Sequence, residues 1–225
     1  MNLYFLVEGV TERKLYPKWL EYLLPSLRRI SSPGEANGNS YFLISGGGFP
    51  SLLDNHLISS VQDINDSGNY DYFVISLDSD EINVPDKVKE VKDRIEDKDI
   101  DTGSCELKII VQNRCIETWL LGNRSVFSRN PTESELISCI RFYNVFKNDP
   151  ELMLKPSGYD ESISIFHYEY LCLMLAERNI RYSKKHPKDA ARPYYLRQLQ
   201  TRLAKTPFHL ASLNYFFDFC AKIAE

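Results

Sequence analysis

The chain has 225 residues, 43% of them hydrophobic and 26% charged, with a net charge of −4. That composition supports one large domain or a core with an appendage and excludes a disordered chain. It also excludes a generally basic nucleic-acid coat, so any polyanion contact has to come from a local basic face.

Residues 2–7 form a continuous apolar run and read as a buried strand, ending on Glu8-Gly9. Thr11 stands at a helix N-cap position, and Leu15, Trp19, Leu20, Leu23 and Leu24 follow at helical spacing. Residues 31–39 are a Ser/Pro/Gly/Asn loop, and Tyr41-Phe42-Leu43-Ile44 is a second strand closed by Gly46-Gly47-Gly48. A helix over 50–65, a strand over 72–77, an amphipathic helix over 86–97, a strand over 107–111 and a helix over 115–121 come next. From about residue 130 onward the pattern is helical, over 133–147, 162–180, 189–204 and 208–224.

Alternating strands and helices followed by helices alone predict an α/β fold: a mostly parallel four-stranded sheet flanked by helices, with a helical C-terminal appendage. The expected division is a core over residues 1–125 and a helical region over 126–225 packed on it. Five scattered cysteines form no CxxC pair and no zinc-spaced cluster with histidine. With a first strand at the very start of the chain, they lead to the expectation of a cytoplasmic protein without a targeting segment. No apolar run approaches the roughly 18 to 20 residues of a membrane span, so no membrane partner is expected.

The acidic residues after the strands carry the chemistry. In an open parallel sheet, ligands gather at the carboxyl ends of the strands. Glu8 follows the first strand and Asp78-Ser79-Asp80 follows the third. If that segment is extended, Asp78 and Asp80 point to one side. Carboxylates held close repel one another, and a hard cation removes that cost. Glu8, Asp78 and Asp80 are therefore candidate ligands of Mg²⁺ or Mn²⁺, with Glu12 and Glu117 as auxiliary catalytic carboxylates. Four of them have a structural alternative: Glu8 as a helix N-terminal charge, the two aspartates as an acidic turn, Glu117 as a packed helix residue.

Gly9 permits close backbone approach to a phosphate, and Gly46 and Gly47 could cradle one, although a tight turn explains the glycine run nearly as well. Lys14 and Arg114 are candidates for steadying charge on a phosphate. Lys184, Lys185, Arg192 and Arg197, interleaved with tyrosines, would suit nucleic-acid backbone contact and base stacking, against the default of a solvated helix surface. Cys115 is read as a buried filler before a nucleophile.

The strand-Glu8-Gly9 and strand-Asp78-x-Asp80 pair resembles the Toprim domain of topoisomerases, DnaG-type primases and OLD-family nucleases. The run Val7-Glu8-Gly9-Val10-Thr11-Glu12 is similar to that of small prokaryotic Toprim-like proteins of the OLD and RloB type. So is Asn113-Arg114-Cys115-Ile116-Glu117-Thr118-Trp119-Leu120-Leu121, with Arg114 where those proteins have proline. The resemblance covers residues 2–122. It implies a Toprim fold, Glu8 as general acid/base, Asp78 and Asp80 as metal ligands, and phosphoester chemistry on DNA or RNA. It further implies a place in phage-defence or mobile-element systems and an ATPase partner. Self-association is a separate expectation that no motif carries. The expected function is a divalent-metal-dependent nuclease. The alternative is a non-catalytic Toprim-like module that binds nucleic acid or regulates a partner. A primase-like enzyme ranks below both, for want of a zinc ribbon or template-binding domain.

Overall fold

Every residue of β1, Asn2–Val7, is buried, because this strand lies in the middle of a parallel sheet with helices against both faces. The computed structural model describes residues 1–224. Five strands, β1, β2 (Arg28–Arg29), β3 (Ser40–Ser45), β4 (Tyr72–Asp78) and β5 (Glu106–Gln112), stand in the order β2-β3-β1-β4-β5. All neighbouring pairs run parallel. The fold is α/β and Rossmann-like. Four strands are expected from the sequence; the fifth, β2, consists of two exposed arginines held only through backbone pairing to β3, which no side-chain pattern reveals.

Alternation along the strands sorts the side chains into two layers. Leu3, Phe5, Val7, Tyr41, Leu43, Val74 and Ile110 face α1 (Val10–Leu23) and the C-terminal helices. Tyr4, Leu6, Phe73, Ile75, Leu77, Ile109 and Val111 face α2 (Leu57–Ser67) and α3 (Val84–Asp97). α2 is entered through a wide helical turn over Leu52–His56 and ends at Gly68, whose positive φ of 63° a side chain would strain. α3 starts at Asn83, whose side chain accepts from the Asp86 amide, with Pro85 in its first turn.

The remaining helices are α4 (Ile116–Leu120), α5 (Ser134–Phe142), α6 (Ile163–Ala176), α7 (Pro193–Lys205) and α8 (Ala211–Ala224). They do not form a separate body, since their apolar faces share one continuous core with the first face of the sheet. The Phe216 ring of α8 stacks on Tyr16 of α1 at 5.2 Å and on Trp119 of α4 at 5.9 Å, and the Trp119 indole N–H donates to Ser212 at 2.7 Å. The region after residue 125 is thus the second covering layer of the sheet. Among the described residues no helix is long and apolar enough to cross a membrane.

The strand order fixes where a site belongs. From β1 the chain leaves through α1 toward β3 on one side; from β4 it leaves through α3 toward β5 on the other. Adjacent strands whose connections depart in opposite directions open a crevice at their carboxyl ends. Glu8 follows β1 and Asp78 ends β4, so both stand at that crevice.

Candidate carboxylate site

A small cavity of about 110 Å³ opens at this switch point, lined by Glu8, Gly9, Val10, Thr11, Glu12, Asp78, Ile116, Glu117 and Lys184. It collects one carboxylate from the end of each central strand, one from α1 and one from α4. Glu8 is anchored by the Asp78 amide, which donates to its Oε2 at 2.9 Å. Glu12 lies in the first turn of α1 and reaches back to accept from the Gly9 amide at 3.1 Å, the acidic half of a capping box. Gly9 makes this approach possible: a Cβ there would stand 2.8 Å from Glu12 Oε2. Glu117 is fully buried; its Oε1 accepts from the Tyr182 hydroxyl at 2.9 Å, while its Oε2 is buried without a partner among the described residues.

The side chains compete for the same protons. Burial pushes the Asp78 carboxyl well above the usual range, and the charges of Glu12, Glu8, Glu117 and Asp80 push it the same way. Burial likewise drives Glu12 up to about 7, with Glu117 and Glu8 adding to the rise and Lys184 opposing it. Glu8 is also raised by burial, against the amide donors of Asp78 and Phe49; Asp80 raises it further and Lys87 lowers it. Burial alone would lower the Lys184 ammonium, but the surrounding Glu117 and Asp78 charges raise it on balance.

Gln112, fully buried and level with Asp78 in the β4–β5 register, holds the centre together. With its amide nitrogen facing the carboxylates it donates to Asp78 Oδ1 and to Glu12 Oε1 at 3.1 Å, and its oxygen accepts from the Tyr16 hydroxyl at 3.0 Å. A search for charged residues after strands misses Gln112 because it is neutral and lies within a strand. Lys87 is missed too, and Tyr182 is read only as one of the tyrosines interleaved with the basic run. Lys87 is buried on α3, over the Phe49 ring at 3.9 Å and paired with Glu90 at 3.0 Å. A charged residue at an otherwise core-facing helix position was the only sequence signal for it.

Other expected residues stand elsewhere or are engaged in the fold. Asp80 has a left-handed backbone, φ 51°, so Asp78-Ser79-Asp80 is a turn and not the extended segment that would aim both aspartates together. Its Oδ1 accepts from Ser164 of α6 at 3.0 Å, and it does not line the cavity. Arg114, also left-handed at φ 69°, donates from Nη1 to the carbonyls of Asp80 and Ile82 at 3.0 and 3.2 Å. It clamps the β4–α3 loop rather than facing the cavity.

The glycine run spends its donors inside the fold. The amides of Gly46, Gly47 and Gly48 donate to Val7 O, Ser45 Oγ and Glu8 O at 2.8, 3.3 and 2.9 Å. A Cβ on Gly46 would meet Leu52 Cβ at 2.6 Å, so this glycine serves close packing of the strand-to-helix turn. Lys14 is exposed on α1 and outside the cavity lining. Of the basic run only Lys184 lines the cavity, from an exposed position; Lys185 is also exposed, Arg192 pairs with Asp189 at 3.0 Å, and Arg197 lies over the Tyr22 ring at 5.8 Å. Cys115 is buried and burial pushes its thiol well above the usual range, as suits a packed residue and not a nucleophile. His167 is held neutral, lowered to about 4 by burial, between Thr118 Oγ1 at 2.7 Å and the Met153 carbonyl at 3.1 Å.

Among the described residues no three His, Cys, Asp or Glu side chains form a ready-made metal-ligand group. Glu8, Glu12 and Glu117 each commit one oxygen to an internal donor, and Asp78 faces Gln112. Comparison with protein-family models, curated proteins and solved structures finds no match to this chain.

Proposed function

We propose that this protein is a Toprim-like enzyme that cleaves nucleic-acid phosphodiesters at the carboxylate cavity with a divalent cation, Mg²⁺ or Mn²⁺. The observation that carries the reading is the convergence of Glu8, Glu12, Asp78 and Glu117 on one small cavity with Lys184 as the cation that lines it. Carboxylates gathered in a desolvated space must take up protons or bind a cation. The donor set suits a hard cation: every ligand atom offered is oxygen, and Glu117 Oε2 is buried with no partner among the described residues. The bound cation would offset charge on the phosphate and make water a better nucleophile.

The chain's own groups supply the rest. Glu8, raised by burial and standing at the end of β1, holds or accepts a proton at its carboxylate. Asp78 and Glu117 would hold the cation, and Asp80, fixed to Ser164, adds negative charge from just outside the cavity. Glu12, at about 7, is balanced between protonated and ionised near neutral pH and can buffer that charge. Lys184 places a positive charge at the cavity, where a phosphate oxygen would approach. Gln112 and Tyr182 keep the carboxylates in place.

The internal hydrogen bonds of these carboxylates favour a second reading, a Toprim-like module that binds nucleic acid or a partner without cutting it. The two separate on one experiment: a panel of single- and double-stranded DNA and RNA incubated with Mg²⁺, Mn²⁺ or EDTA. Cleavage that needs metal and is lost in Asp78→Asn supports the enzyme. Binding without cleavage, equal in wild type and Asp78→Asn, supports the module.

A further inference from the structure

The two edges of the sheet differ. β2 forms one edge with two residues, short enough to offer almost nothing to another strand. β5 forms the other with seven, Glu106–Gln112, and its outer side lies in the floor of a groove of about 720 Å³ between α3 and α8.

The parallel register shows which backbone groups face outward. Glu106 donates its amide to Asp71 O at 2.9 Å, and Gln112 O accepts from the Ser79 amide at 3.0 Å. In a parallel strand alternate residues turn both N–H and C=O to the same neighbour. Glu106, Lys108, Ile110 and Gln112 therefore bond toward β4, and Leu107, Ile109 and Val111 present N–H and C=O outward. Leu107, Ile109 and Val111 all line the groove, together with Glu106 and Lys108. At either end the outward groups are satisfied: Thr102 donates to Cys105 O at 3.2 Å, and the Asn113 amide donates to Ser212 at 3.1 Å. Between these ends, three amides and three carbonyls have no protein partner among the described residues.

The walls select what could pair with them. α3 contributes Val84, Pro85 and Val88, and α8 contributes Ala211 and Tyr215, so the edge is recessed between two helices. A second folded copy would bring its own flanking helices against these walls, whereas a lone extended segment fits between them. The charges are one-sided. Lys92, Lys108 and Arg114 line the groove and make no ion pair among the described residues; Lys108 stands over the Tyr215 ring at 4.0 Å. The groove's two acids are both engaged, Glu106 with Lys222 at 3.9 Å and Glu151 with Ser212 at 2.6 Å.

We propose that the β5 edge is a docking groove for an extended, acidic-apolar peptide segment of a partner protein, which joins the sheet as a sixth strand. Main-chain hydrogen bonds to Leu107, Ile109 and Val111 supply the affinity. Alternate apolar side chains lie against Val84 and Val88, and the acidic ones between them face Lys108. This surface is independent of the carboxylate cavity and of the chemistry proposed there.

The probe is an alternating Val-Glu peptide of about nine residues. Its binding is followed by fluorescence anisotropy, and amide hydrogen exchange is read residue by residue. The expected result is saturable binding with slowed exchange at Leu107, Ile109 and Val111. A Val-Lys peptide, a peptide N-methylated at alternate residues, and the Lys108→Glu protein should each bind at least about tenfold more weakly. Absence of binding to the Val-Glu peptide at millimolar concentration overturns the proposal, as does binding that tolerates N-methylation or protects other amides. Protection of the three amides that appears without peptide and grows with protein concentration, with dimers in sedimentation, would instead assign the edge to a second copy.

Discussion

The Asp78 amide donates to Glu8 Oε2 at 2.9 Å, so the residue that ends β4 fixes the side chain that follows β1. The link crosses the switch point of the sheet and needs only an acceptor at position 8. Glu8→Gln retains one in its amide oxygen and removes the charge. The variant should melt within about 2 °C of wild type, since the hydrogen bond and volume are kept. Phosphodiester cleavage should fall by at least about a hundredfold. Full activity in a correctly folded Glu8→Gln protein would refute a proton-transfer or charge role for this residue.

Gln112 donates to both Asp78 and Glu12. Gln112→Leu leaves both acids without it and leaves the Tyr16 hydroxyl without its acceptor there. Losing such partners costs about 1–3 kcal/mol, equivalent to a fall in Tm of roughly 5 °C in a chain of this size. Thermal melts of the two proteins at one pH check it; an unchanged Tm would mean that the amide does not hold these groups.

The raised carboxyls make stability pH-dependent in a particular direction. Glu12 at about 7, with Glu8 and Asp78 also raised, binds protons more tightly when folded than when unfolded. Their stabilising protonation is complete below the ordinary carboxylate range and is lost as pH rises through about 7. In EDTA the protein should therefore lose Tm between pH 5 and pH 8, by roughly 5 °C or more. Glu12→Gln should flatten the curve. A Tm that rises over this interval would contradict the coupling of these groups.

Gly9 sits under Glu12, where an added Cβ would stand 2.8 Å from Oε2. Its backbone is ordinary extended chain, φ −122°, so alanine adds no backbone strain. Gly9→Ala should displace the Glu12 carboxylate, leave Tm within about 3 °C, and cut metal-dependent activity several-fold. Loss of stability without loss of activity would make the glycine purely a matter of helix capping.

The strands and most helices were legible because they are buried on defined faces: β1 and β4 as continuous apolar runs, α1 and α2 through helical spacing. β2 was not, because backbone pairing to β3 alone defines it. Glu8, Glu12, Asp78 and Glu117 could be singled out as acids near strand ends, and they meet in one cavity. Asp80 and Arg114 depart from expectation for one reason: both adopt left-handed backbone, which turns their side chains away in a manner that residue spacing does not encode. Of the two readings of the glycine run, phosphate cradle and tight turn, its amides favour the turn, since they donate to the end of β1 and to Ser45. Gln112 has no charge to draw notice, and Tyr182 stands in the sequence only as a tyrosine beside the basic run, yet both hold the carboxylates.

The most direct measurement is calorimetric titration of Mn²⁺ into EDTA-treated protein, in wild type and in Asp78→Asn. A carboxylate cavity that takes a divalent cation should give saturable binding near one equivalent, weakened at least about tenfold in Asp78→Asn, with proton release in the wild type near pH 7. Absence of binding at millimolar Mn²⁺, or binding that Asp78→Asn leaves unchanged, would contradict the account.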